Sequence, residues 1–162
     1  LRRNIRNWGN DILRAAIILL VLFYACWPLR LSGGSMEPTY YNGNVVCVSR
    51  LAGFFGGYDR GDVVVFDYTD EDGQRQVIKR VIAVEGDRLE IVPEGVMVNG
   101  VLLDEPYAMG PTEGVADLVI PPDTVFVLGD HRTESFDSRN MGVIAEKDLK
   151  GKVLFRLFPF FG

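Results

Sequence analysis

The longest unbroken apolar stretch of the chain is AAIILLVLFYACWPL, residues 15–29. At about 1.5 Å of rise per residue it falls short of a hydrocarbon layer ~30 Å thick. Ile12 and Leu13 extend it, and Arg14 can snorkel its guanidinium back to the headgroups, so the stretch approaches a full span. Pro28 ends the predicted helix. Beyond residue 40 the pattern changes, and only AEKDLK offers a turn or two of helix. Short apolar runs, bounded by Gly, Asp and Asn, instead predict strands: NVVCVSR at 44–50, DVVVFDY at 62–68, RQVIKRVIAVEGD at 75–87, RLEIV at 88–92, TVFVLGD at 124–130 and GKVLFRLF at 151–158. VMVNGVLL, residues 96–103, reads as a hairpin whose Asn99-Gly100 corner supplies the positive φ angles of a primed turn. The expected fold is therefore mainly β, an antiparallel coiled or barrel-like sheet system over residues 31–162, behind a membrane-crossing helix in residues 1–30.

The 162 residues suffice for one domain with an appendage. The net charge of −5 conceals an asymmetry: Arg2, Arg3, Arg6, Arg14 and Arg30 against Asp11 give residues 1–30 a balance of +4, leaving −9 for the rest. An acidic body excludes nucleic acid as a partner. Arginines before the apolar run place the amino terminus in the cytoplasm and the body outside. The run is a retained anchor, a cleaved secretory signal or a buried core helix, and the small residues Ser32 and Gly34 suit cleavage. Because the chain opens with Leu, further sequence is expected upstream. Cys26 and Cys47 read as small buried hydrophobes rather than a disulfide framework. With one histidine in the chain, no spacing suggests a metal site, and no cofactor is expected.

Two stretches carry chemistry. In LSGGSMEPTY, residues 31–40, Gly33 and Gly34 free the backbone before Ser35 and Pro38 stiffens the exit. These letters alone suit a tether as well as a serine held in a fixed pose. In the strand QVIKRVIAV, the period of two puts Val77, Lys79, Val81 and Ala83 on one face and Ile78, Arg80, Ile82 and Val84 on the other. Each face carries one cation among aliphatics. The ordinary outcome is that both snorkel or pair with carboxylates. The chemical alternative is a desolvated lysine whose pKa drops by ~2 to 3 units, so that it accepts a proton from a serine.

GDHRTESFDSR, residues 129–139, follows an apolar strand with two serines and several charges. Taken in order with SGGSMEPT, RGDVVVF and IKRVIAVEGD behind an apolar segment, it resembles the type I signal peptidases, membrane-bound serine proteases with a Ser/Lys dyad. The resemblance runs from the anchor to GKVLFRLFPF. It implies that Ser35 is the nucleophile, Lys79 the general base, and Ser135 a hydroxyl that hydrogen-bonds and orients the lysine. It also implies that Asp137 and Arg139 form a structural charge pair. The Ser35 backbone N–H would serve the oxyanion. Some members add a serine hydroxyl two residues before the nucleophile, but here that position is Gly33, which leaves the second donor open. The signal peptide would bind as an extended strand along Gly33, Gly34, Val77 and Ile78, with small residues such as Ala at the first and third positions before the cut. The implied setting is the bacterial cytoplasmic membrane, with a single pass, an extracytoplasmic catalytic domain, and preproteins, the lipid bilayer and the secretion translocon as partners. Asp130, His131 and Arg132 read as turn and surface chemistry. Phe54, Phe55, Phe158, Phe160 and Phe161 suit either the outer leaflet or the core.

Three rivals share parts of this pattern. Self-cleaving repressors also use Ser and Lys on β structure, but the apolar segment and GDHRTESFDSR speak against them. A conjugation-type or organellar processing protease would carry the same dyad, and the reticulum subtype would have His at position 79. A non-enzymatic anchored β domain would not need the dyad.

Overall fold

The computed structural model describes residues 2–51, 53, 57–70 and 73–158. Helix α1 (Arg2–Ala25) precedes β1 (Trp27–Arg30), β2 (Val45–Ser49), β3 (Val63–Asp70), β4 (Gly73–Val84), β5 (Arg88–Val92), β6 (Gly95–Val98) and β7 (Val101–Leu102). There follow β8 (Asp117–Val119), β9 (Thr124–Leu128), α2 (Ser138–Met141), β10 (Ile144–Ala145) and β11 (Leu149–Phe158). The chain is mostly antiparallel β with an amino-terminal apolar helix, as the alternation predicts. Its strands divide into a seven-stranded sheet, β1-β2-β11-β3-β4-β9-β10, and a four-stranded one, β7-β6-β5-β8.

Trp8–Ala25 is long and apolar enough to cross a membrane, and none of its described side chains is buried. The helix stops at Ala25, before the predicted end at Pro28. Residues preceding a proline avoid the helical region, and WPLR instead pairs with β2, with Pro28 opposite Cys47. Proline is tolerated there because β1 is the sheet edge, where a missing N–H leaves no partner unsatisfied. Cys26 and Cys47 are disulfide-bonded, which corrects the expectation of two buried thiols. Strand pairing of β1 with β2 brings together two cysteines whose sequence separation is 21, a proximity that spacing alone does not reveal.

The hairpin at 96–103 forms as predicted, with Asn99 at φ 53° and Gly100 at φ 77°. AEKDLK yields one 3-10 turn, Glu146–Asp148, before the chain becomes β11. In β4 the predicted alternation holds only to Val81. A register shift against β9 between Val81 and Ala83 inserts an extra residue. Ala83 therefore joins Ile82 in the core cluster against the four-stranded sheet. Val84 packs with Val77 and Val81 instead. Phe54, Phe55, Phe160 and Phe161 lie outside the described residues, as does the side chain of Phe158.

Candidate active site

Ser35 is held from three directions. Leu31 and Met36, on either side of the serine loop, are buried in one cluster with Val46, Val63, Val65 and Ile78. Between them Gly33 takes φ 92°, a conformation that L side chains rarely adopt. The turn is tied by the Glu37 N–H to the Gly34 carbonyl at 3.0 Å and by the Tyr40 N–H to the Met36 carbonyl at 2.8 Å. From the loop after β9, the His131 N–H donates to the Ser35 carbonyl at 3.1 Å. This packing answers the question left by LSGGSMEPTY: the serine sits in a fixed pose.

Lys79 lies on β4 opposite Val64 of β3. It is 3% exposed, and its Nζ is 2.7 Å from Ser35 Oγ. Burial lowers its pKa from 10.5 to about 8, against the opposing pull of the Asp137 and Asp130 carboxylates. Its neighbour Arg80 takes the other fate, with two bonds to Asp130 at 2.8 and 2.6 Å. The period of two thus separates a desolvated amine from a paired guanidinium.

The loop after β9 is more buried than its composition suggests. Asp130 is 0% and Arg132 1% exposed, which corrects their reading as turn and surface chemistry. Arg132 pairs with Glu105 at 2.7 Å and donates to the Gly129 carbonyl at 3.0 Å. Arg139 forks onto Asp137 at 2.8 and 2.9 Å, the charge pair that the resemblance implies. Asp137 also accepts from the Gly129 N–H at 3.0 Å and caps α2. Burial alone would raise the Asp137 pKa, yet the Arg139 guanidinium and the Gly129 N–H hold it below the usual carboxylate value.

Ser135 does not make the expected bond to Lys79. Its hydroxyl is buried beside the Asp137 carboxylate without a well-formed hydrogen bond. It rests on Gly129, where a Cβ would lie 2.2 Å from Ser135 Oγ and 2.6 Å from the Ser35 carbonyl oxygen. Gly129 is therefore the residue that lets this loop approach the nucleophile. Its signal in the sequence was a glycine directly after an apolar strand.

A cavity of about 240 Å³ opens beside Ser35 and Lys79. Gly33, Gly34 and Val77 line it, together with Ser32, Tyr68 and Phe136, which the sequence reading did not place in the site. The Ile78 side chain points away into the core with Met36. Gly33 N–H already donates to Asn42 Oδ1 at 3.3 Å. On one edge β4 pairs with β3 from Gly73 to Arg80, past Lys79. On the other edge β9 begins only at Arg80. Among the described strands, none covers that second edge from Gly73 to Lys79. The same residues contain no cluster of His, Cys, Asp and Glu able to hold a metal ion.

The family model described as signal peptidase, peptidase S26, matches residues 5–158. Signal peptidase IB of Staphylococcus aureus (strain COL) is 36% identical over 180 residues, covering 99% of this chain and 93% of its own. Signal peptidase I S of Bacillus subtilis (strain 168) is 31% identical over 173 residues, covering 98% and 92%. Among solved structures, a signal peptidase I from Enterococcus faecalis V583 is similar with a TM-score of 0.51 at 27% identity, covering 60% of this chain and 97% of its own.

Proposed function

The chain belongs to the signal peptidase family, peptidase S26, serine peptidases that cleave signal peptides, and from that premise we propose that it works through a Ser35–Lys79 dyad. The observation that carries the reading is the 2.7 Å contact between Lys79 Nζ and Ser35 Oγ inside a desolvated corner. Once neutral, Lys79 accepts the hydroxyl proton as Ser35 Oγ attacks the scissile carbonyl. The oxyanion forms against the Ser35 backbone N–H. Lys79, now an ammonium, gives its proton to the departing amine, which leaves the signal peptide esterified to Ser35. Water then attacks the ester while Lys79 takes its proton, and the Ser35 hydroxyl is regenerated with release of the peptide acid.

The open edge of β4 and the Gly33–Gly34 segment on the other side of the cavity suit an extended peptide added as a strand. Its first residue before the cut sits at Lys79 and its third beside Val77, where small side chains such as Ala fit. Helix α1 anchors the enzyme in the cytoplasmic membrane as a single span, with the arginine-rich end inside and the catalytic domain outside, where preproteins emerge from the translocon. Asp137 and Arg139 brace the Ser135 loop.

Purified enzyme in detergent should cut a preprotein after its Ala-x-Ala site, and the Ser35→Ala variant should not. Cleavage at another site, or by Ser35→Ala, would refute the proposal.

A further inference from the structure

Phe136 stands beside the catalytic serine loop with 46% of its surface exposed, outside every buried core cluster among the described residues. Its ring lies 5.4 Å from that of Tyr68 and is tilted by 56°. Both line the catalytic cavity. Tyr68 is the cross-strand partner of Arg75, whose guanidinium lies 5.7 Å over the Tyr68 ring. Tyr68 also borders a second cavity of about 400 Å³, walled in part by Phe66, Val143 and Ile144.

We infer that the Tyr68–Phe136 pair selects the side chain at the fifth position before the cut, favouring a bulky apolar group. The inference rests on the reading that the peptide runs along β4 with its third residue beside Val77. Strands side by side advance together at ~3.3 Å per residue and repeat their facing every second residue. If the first residue is level with Lys79 and the third with Val77, the fifth is level with Arg75 and so faces Tyr68 and Phe136. A half-exposed aromatic pair gains most by covering its remaining apolar surface. Arg75 and Glu134 both line the cavity, so a side chain of either charge meets a like charge beside an opposite one, and the apolar aromatic surface decides the preference. The cavity beyond Tyr68, walled by Phe66, Val143 and Ile144 on one part and by Asp67, Gln74 and Lys150 on another, gives room for a large residue, in contrast to the small ones required nearer the cut.

The test uses signal-peptide substrates that differ only at the fifth position before the cut, bearing Leu, Ala or Asp. Wild type should favour Leu over Asp by on the order of tenfold in kcat/KM. In Phe136→Ala the ratio should shrink to about threefold or less, and Phe136→Leu should restore most of it. Taking the ratio within each variant cancels any loss of folded enzyme. A wild-type enzyme indifferent to this position, or a ratio unchanged in Phe136→Ala, would overturn the inference. Ser35→Ala serves as the separate control. If it cleaves, the catalytic reading itself fails; if it is inert while the ratio does not move, only the role of Phe136 fails.

Discussion

On one side of β4, Arg80 closes an ion pair with Asp130 at 2.6 Å, the two side chains 11% and 0% exposed. On the other, Lys79 is just as deeply placed, yet among the described residues it closes no ion pair and meets a serine hydroxyl instead. The loop that follows β9 resembles the Arg80 side: its Asp137 is matched by Arg139, and its Arg132 matches Glu105 of the segment after β7. The contrast teaches how a lysine can stay reactive close to so much negative charge. Asp137 and Asp130 both pull the Lys79 pKa upward, but each already has an arginine, and desolvation prevails. Arginine suits that task because it holds a carboxylate by two bonds and does not surrender its proton.

The largest effect should come from exchanging the character of the two sides. Lys79→Arg should lose about 10³-fold or more in activity despite keeping the charge, because a guanidinium cannot accept the serine proton. Ser35→Ala and Lys79→Ala should each be as damaging, and the double variant little worse, since the two side chains act as one unit. In wild type the single-turnover rate should climb with pH through about 8, where Lys79 loses its proton. A flat profile between pH 6 and 10, or strictly multiplicative losses in the double variant, would remove Lys79 from the role of base.

A smaller effect concerns stability. The amine's pKa is 10.5 in the unfolded chain and about 8 in the folded one, so the unfolded chain binds the extra proton between those values. Stability should therefore rise with pH across that window, and the penalty below it is about 3 kcal/mol. Lys79→Met, similar in shape and uncharged, should be more stable than wild type at pH 7 in denaturant titrations. The advantage should fade as pH rises through that window. A destabilised Lys79→Met at pH 7 would mean that the lysine has a stabilising partner in the fold.

The smallest effect tests the pairing itself. Arg139→Met strips Asp137 of its guanidinium and removes a cation that lowers the Lys79 pKa. The activity profile should move to higher pH by about one unit. Adding Asp137→Asn should bring it back toward wild type. If Arg139→Met lowers the rate without moving the midpoint, the pair braces the loop and does not tune the lysine.

Much of this molecule was legible along the chain. Alternation located β2 to β7, β9 and β11, and Asn99-Gly100 marked its hairpin, because those signals are local. The strands that escaped notice, β1, β8 and β10, are two to four residues long. WPLR is moreover the tail of an apolar run, indistinguishable from helix until β2 lies beside it. The site was legible to the same degree. Its motifs named Ser35, Lys79, Asp137 and Arg139, but Tyr68, Phe136 and Gly129 carried no comparable mark. Tyr68 and Phe136 matter for what they face in the cavity, and Gly129 for how closely Ser135 and the Ser35 carbonyl approach it.

The sequence by itself determined which residues alternate, where turns take positive φ, which serine and lysine stand out, and which family the motifs belong to. These are properties of neighbours within a few positions. Tertiary structure alone decided that Lys79 is desolvated and Arg80 paired, that Asp130 and Arg132 are buried, that Cys26 reaches Cys47, and that a bulge turns Ala83 away from Val81. Each of those outcomes depends on dielectric surroundings or on contacts between distant segments. The disulfide is set when β1 pairs with β2, and the others when β3, β9 and the loop after β9 close around β4.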